Sequence, residues 1–285
     1  MHDDRQAAQS IRERLVRHYD RVFLILSPPR CCSTAIARVF WNQPSVAFYC
    51  HEPFEAFFYA GRGLGYVGAR LEQPLSVGEP FEEGDAGRDL VIKEMSFQAG
   101  KAFPLLAEWT QQPILFVIRD PRLSISSRMA KKAEGGNDPL FPFIESGWES
   151  LAEQIRYCEK RAIPHLIVDA ADVRNRPREI FPKVFSTLGL PFDEEMLSWQ
   201  ACRDLDLDGL DGRHTHWYRR VLASTTIEPA NEPLPEIGSF PAERGFREHV
   251  RACLETYKPL YASMARIASE ASRQPTGSAT AGMGS

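Results

Sequence analysis

The stretch Phe23–Phe40, FLILSPPRCCSTAIARVF, decides how the rest of the chain is read. Together with Val22 it opens on a continuous apolar run, of the kind carried by a strand buried on both faces. A polar turn, Ser27-Pro-Pro-Arg30, follows, and then two adjacent cysteines. From Ser33 the pattern becomes helical, with Ile36, Val39 and Phe40 on one face. Strand, tight polar loop and helix make an anion-binding arrangement. Backbone N–H groups of the loop and helix start point at the ligand, and the helix dipole favours negative charge. The stretch lacks the glycines and lysine of the nucleoside-triphosphate loop G-x-x-x-x-G-K-[ST]. With Thr34 at the final Ser/Thr place, Ser33 stands at the lysine, Cys32 at the glycine, and the basic group has moved upstream to Arg30. That points to a guanidinium and two hydroxyls around one phosphate rather than to a metal–triphosphate site. An ordinary strand–helix turn, with Arg30 on the surface and Ser33 capping the helix, carries the same pattern.

Apolar runs recur at Val46–Cys50, Leu90–Lys93, Ile114–Ile118 and His165–Val168. Helical periodicity is read at Ile11–Tyr19, Gln98–Trp109, after Pro121, at Trp148–Arg161, Pro177–Leu188, beyond a capping Asp193, and at Glu243–Glu270. Phe54–Asp89 reads as a helical piece and then an excursion on the substrate side. Arg203–Phe240 shows little periodicity and reads as a long lid or wrap. Strands alternating with helices predict an α/β fold, three-layered, with a central, mostly parallel sheet of about five strands flanked by helices. A single domain over 1–270 is expected, with a disordered tail at 271–285. Such sheets bind ligands in the crevice beyond the carboxyl ends of their strands. That directs attention to Ser27–Thr34, Cys50–Phe54, Lys93–Ser96, Arg119–Arg128 and Asp169–Arg174.

The net charge of −4 argues against a general nucleic-acid binder but leaves room for a local basic pocket. No apolar run reaches the roughly 20 residues of a membrane span, and the charged N-terminus has no apolar core of a secretory signal. The 6 cysteines show neither C-x-x-C spacing nor a histidine spaced as a zinc partner. A reduced, cytoplasmic protein without a metal site is expected. A helix start and nearby arginine would lower the pKa of Cys31 or Cys32 and leave a thiol open to alkylation.

A second anion element follows the strongest strand, in VIRDPRLSISSRMA. Arg119 ends the strand, Pro121 opens a helix, and Ser127 lies about two turns along it. Solvent-facing arginines on a capped helix would read the same way. Two strand ends, each followed by arginine and hydroxyls, suit a ligand with two separated phosphates.

The pair resembles the two signatures of the PAPS-dependent sulfotransferase family, which has a P-loop-type fold. PRCCST is similar to the family's P-[KR]-S-G-[ST]-T loop for the 5′-phosphosulfate, placing Arg30, Cys31, Cys32, Ser33 and Thr34 there. Arg119 and Ser127 fall on its R-[ND]-P-x-x-x-x-x-S element for the 3′-phosphate. The order and the separation of roughly 90 residues also agree. DAADVRNRPREIFPKVFSTLGLPF is similar to a third family segment, so the resemblance runs from about Arg21 to Trp199. Two features depart from it: Cys31-Cys32 replace Ser-Gly, and the C-terminal R-K-G-x-x-G-x-W element is missing. Arg219, Arg220 or Ser224 could fill that last role.

The resemblance implies metal-independent, in-line transfer of a sulfuryl group from PAPS to a hydroxyl or amine of a small-molecule acceptor, leaving PAP. Such transfer needs a base for the acceptor proton, charge on the leaving oxygen and an aligned acceptor. Arg30 is placed for leaving-group stabilisation. Met95 stands where cytosolic members carry a histidine and cannot serve as base. Glu52 and His51 are the two candidates; Glu52, about 22 residues beyond Arg30, matches the bacterial trehalose sulfotransferase type. Either could instead be structural, Glu52 as a helix-start carboxylate and His51 bonded to backbone. Lys93 could approach the sulfuryl group or form an ion pair with Glu94 or Asp120. Trp148, Trp217, Phe57, Phe58 and Tyr59 could line an acceptor pocket or belong to the core. Neither nucleic acid nor membrane is expected as a partner; a homodimer is compatible with the sequence. The alternatives are a kinase using ATP and Mg²⁺, and a non-catalytic nucleotide-binding protein.

Overall fold

The computed structural model describes residues 2–77, 87–207 and 215–271. The expected 271–285 tail beyond Ala271, which ends a helix, and parts of the Phe54–Asp89 and Arg203–Phe240 segments, lie outside the described residues. Among the described residues, six strands form one sheet: β1 Val22–Ser27, β2 Val46–His51, β3 Leu75–Ser76, β4 Asp89–Met95, β5 Ile114–Ile118 and β6 His165–Asp169. Their order is β3-β2-β4-β1-β5-β6. Every pairing is parallel except β2 with β3. The sequence suggested about five strands; β3 is the additional one. It has two residues, too few for an alternation to show, and pairs antiparallel with Phe48 and Tyr49 at the sheet edge.

The helices are α1 His2–His18, α2 Ser33–Trp41, α3 Glu55–Ala60, α4 Leu64–Glu72, α5 Ser96–Ala99, α6 Phe103–Trp109, α7 Pro121–Glu134, α8 Trp148–Arg161, α9 Ala170–Asn175, α10 Pro177–Thr187, α11 Thr215–Ala223 and α12 Phe246–Ala271. The single helix expected over Gln98–Trp109 is α5, a 3-10 turn at Gly100–Ala102, and α6, because Gly100 adopts φ 41 and breaks the first turn. Beyond Asp193, which caps the Glu195 amide, the chain makes only a 3-10 turn. Arg203–Phe240 is not all irregular: α11 lies within it, its amphipathic pattern too short to stand out from its polar flanks.

The continuous apolar strands divide their side chains between two cores, as the period of two requires. On β1, Val22, Leu24 and Leu26 join one core, and Phe23 and Ile25 the other. On β5, Ile114, Phe116 and Ile118 share the first core, and Leu115 and Val117 the second. The first is closed by residues of α1, α4, α6, α8 and α12, the second by α2, α10 and α11. Burying each large apolar side chain stabilises the fold by about 1.5–3 kcal/mol, so this double covering fixes the sheet on which the site rests. Among the described residues, no helix is long and apolar enough to cross a membrane.

Candidate active site

The carboxyl ends of β1, β2, β4, β5 and β6 open on a cavity of about 940 Å³, within the range of small-molecule sites. The loop after β1 forms one wall. Arg30 and Cys32 both adopt left-handed backbone, φ 64 and φ 59. Cys32 thus takes the conformation that a glycine adopts freely at the start of α2. A side chain in that region costs about 1–2 kcal/mol, and such strain persists only where packing enforces it. Packing does so here. Cys31 is fully buried, and Ser27 donates from its hydroxyl to Ser33 Oγ at 2.8 Å. Gly147, at φ 78, lies so close behind the loop that a Cβ there would sit 2.6 Å from Ser96 Oγ and 3.0 Å from Pro28 Cα.

The two segments expected from the sequence to hold anions meet. Arg30 Nε donates to Ser127 Oγ at 3.1 Å, and Arg119 Nη1 donates to the Arg30 carbonyl at 2.9 Å. Arg30, Cys32, Ser33, Thr34, Arg119 and Ser127 all line the cavity. Cys31 does not. Burial pushes its thiol well above the ordinary value despite nearby Arg119, so the expected lowering by the helix start does not hold for Cys31; its side chain points into the second core. All six cysteines are free.

Glu52 follows β2 at φ 44, and its carboxylate lines the cavity. Its Oε1 accepts from Lys93 and, at 3.3 Å, from the Tyr218 hydroxyl, while Oε2 accepts from Gln98 Nε2 at 3.0 Å. Burial alone would raise this carboxyl. The Lys93 ammonium and His51 outweigh it and hold the group well below the ordinary carboxylate range. Neighbouring Glu94 goes the other way, pushed well above by burial and then by the Glu52 charge. Lys93 is completely buried beneath the cavity, pairing with Glu52 rather than with Glu94 or Asp120. His51 is likewise behind the wall. Its Nε2 lies 3.2 Å from Glu52, its Nδ1 lies 2.5 Å from the Tyr49 hydroxyl, and burial lowers its pKa.

A family model described as a sulfotransferase domain matches residues 21–260. The chain belongs to the sulfotransferase domain family. Its general reaction is therefore sulfuryl transfer. Among solved structures, the sulfotransferase is similar to the sulfotransferase domain from the Synechococcus PCC 7002 olefin synthase, at 16% identity, TM-score 0.49, covering 84% of this chain and 95% of that one. The sulfotransferase domain from the curacin biosynthetic pathway gives 16% identity, TM-score 0.45, and coverage of 82% and 97%. Mouse sulfotransferase SULT7A1 complexed with PAP gives 12% identity, TM-score 0.46, and coverage of 93% and 95%. Comparison with the curated proteins finds no match.

Of the aromatic candidates, Tyr59 and Trp217 line the sulfotransferase cavity. Trp148 is core, edge-on to Tyr257; Phe57 packs against the first core, and Phe58 stacks edge-on to Phe97. Arg220 and Ser224 reach the cavity, and Arg219 does not line it. Gln98 and Tyr218, both bonded to Glu52, were not singled out from the sequence. Gln98 follows a glutamate-bearing strand end with no motif of its own, and Tyr218 is brought in by α11. Arg128, buried against Phe97, Phe141 and Trp217, pairs with Glu145.

Proposed function

We propose that the protein transfers a sulfuryl group from PAPS to a hydroxyl or amine of a small-molecule acceptor, without a metal. The observation that carries this reading is the hydrogen bond from Arg30 to Ser127, which joins the two anion elements across one cavity. Arg30, the hydroxyls of Ser33 and Thr34, and the amides opening α2 suit a phosphosulfate. Arg119 and Ser127 suit the second phosphate. PAPS brings the activated sulfuryl group. The chain's own residues bind it, orient the acceptor and move one proton. Arg30 supplies the positive charge that a leaving phosphate oxygen needs. Of the two base candidates, Glu52 is favoured because it lines the cavity and His51 does not. The Lys93 charge that keeps Glu52 ionised also makes it a weak base, so its proton transfer accompanies sulfuryl transfer instead of preceding it. His51 and Lys93 act through it as positioning residues. Tyr59, Phe97 and Trp217 offer apolar walls to the acceptor. The reduced cysteines fit a cytoplasmic setting.

The reading is tested by incubating the protein with sulfur-labelled PAPS, a panel of hydroxylated and aminated small molecules, and EDTA. Label is expected to move to at least one acceptor, with Arg30→Ala at least about a hundredfold slower. Activity that appears only with ATP and Mg²⁺ would instead support the kinase alternative.

A further inference from the structure

The end of β6 brings a third arginine to the cavity. Arg174, on α9, is 7% exposed and Arg119 is 6% exposed. Arg174 Nε donates to the Glu228 carbonyl at 2.8 Å, and Nη2 donates to the Pro229 carbonyl at 2.5 Å. Its Nη1 meets the two carboxylate oxygens of Glu232 at 2.9 and 3.0 Å. Arg119 Nη2 lies 3.3 Å from the same Glu232 Oε1. Two buried guanidiniums therefore share one carboxylate, and that carboxylate comes from a strap of the chain itself. The strap is tied to α9 a second time, by the Ala230 amide donating to Asn175 Oδ1 at 2.9 Å. Glu232 is partly open, its side chain 36% exposed, and it lines the cavity with Pro233 and Pro235.

We infer that Arg174 adds to the seat proposed above for the nucleotide's 3′-phosphate at Arg119, and that Glu232 occupies this seat as an internal anion which the nucleotide displaces. The inference rests on the PAPS reading above. Arg174 Nη1 and Arg119 Nη2, the two nitrogens that meet Glu232, suit phosphate oxygens as well as carboxylate oxygens, and one set of N–H groups cannot serve both. A phosphate monoester brings more charge and more acceptor oxygens than a carboxylate. Glu232, being tethered, loses no translational freedom on pairing. The outcome is a competition that a bisphosphate wins and a nucleotide with a lone 5′-phosphate does not enter. Arg174 and Glu232 thereby become specificity residues: the first adds affinity for the 3′-phosphate, and the second sets a threshold that only such a ligand passes. The backbone bonds from Arg174 to Glu228 and Pro229 are independent of the carboxylate and keep the base of the strap in place when Glu232 leaves.

Isothermal titration with adenosine 3′,5′-bisphosphate and with adenosine 5′-monophosphate tests this in the wild type, Glu232→Gln, Arg174→Gln and the double variant. Glu232→Gln is expected to tighten the bisphosphate by about threefold to tenfold and to leave the monophosphate unchanged, on the scale of a partly exposed ion pair. Arg174→Gln is expected to weaken the bisphosphate by about tenfold or more, the scale of a charge-assisted hydrogen bond, and to shrink the gain from Glu232→Gln in the double variant. Thermal melts confirm that each variant is folded; Glu232, partly exposed, gives the arm least exposed to misfolding. An unchanged or weaker bisphosphate affinity in Glu232→Gln, or equal shifts for both nucleotides, overturns the inference while leaving the PAPS reading intact. Failure of every folded variant to bind the bisphosphate overturns that reading and the inference with it.

Discussion

Glu52 shows how a residue's surroundings set its role. It stands at φ 44, where a side chain is strained, and it lines the cavity directly after β2. Buried beside Lys93 and His51, it stays ionised where an isolated buried carboxyl would be neutral. As the base, Glu52 gives no acid limb in kcat/KM between about pH 5 and 8, since its folded pKa lies below the ordinary value of about 4.3. An acid limb inside that window, below the ordinary histidine value of about 6.5 because burial lowers His51, would transfer the role to His51. The sign for stability follows from the same lowering. The Glu52 contribution is complete above its unfolded pKa and is lost as the pH falls through the lower folded one. Glu52→Gln should reduce kcat by about 10²–10⁴-fold. Because it leaves the Lys93 ammonium buried without a counter-charge, a defect of about 3–5 kcal/mol, Glu52→Gln combined with Lys93→Met supplies the folded comparison. Sequence alone placed Glu52 and His51 side by side. Apart from the likeness of Glu52 to the trehalose sulfotransferase type, nothing in the sequence separates them; in the structure Glu52 lines the cavity and His51 does not.

At the scale of elements, the strands were legible because the parallel sheet is buried on both faces and its strands are unbroken apolar runs. Ile114–Ile118 and the start of α2 at Ser33 were read to the residue. The elements that escaped, β3 and α11, are a two-residue edge pairing and a short helix among polar residues, whose existence rests on tertiary contacts. The β1–α2 loop was read as an anion loop from Arg30, Ser33 and Thr34, and the structure lines the cavity with all three; what packs behind the loop was not legible. Gly147, just before α8, packs against Pro28 from 119 positions away in sequence (147 − 28). Gly147→Ala is therefore expected to destabilise the fold by about 1–3 kcal/mol through its left-handed backbone, with a further effect from the close approach to Pro28 and Pro29. A denaturant titration measures it. If the alanine variant unfolds at the wild-type midpoint, the loop is not held from behind in this way.

At the scale of the whole molecule, the sheet brings together strand ends whose residues are far apart in sequence. Arg30 and Ser127, 97 positions apart, share a hydrogen bond. Arg174 and Glu232, 58 positions apart, share an ion pair. The first pairing was foreseeable, because both residues sit in motifs. The second was not: Arg174 fell inside a strand-end segment marked by topology, but Glu232 lies in a stretch without periodicity, and only the fold reveals its partner. The central claim is that this cavity is built for a nucleotide with two separated phosphates. Thermal melting in EDTA with adenosine 3′,5′-bisphosphate at about 100 times its dissociation constant tests it most directly. The ligand should stabilise the protein by about 2.7 kcal/mol, raising Tm by about 5–10 °C for a chain of this size, and Arg30→Ala should abolish most of the shift. No shift with the bisphosphate at any concentration, together with a clear shift from ATP and Mg²⁺, would contradict the account.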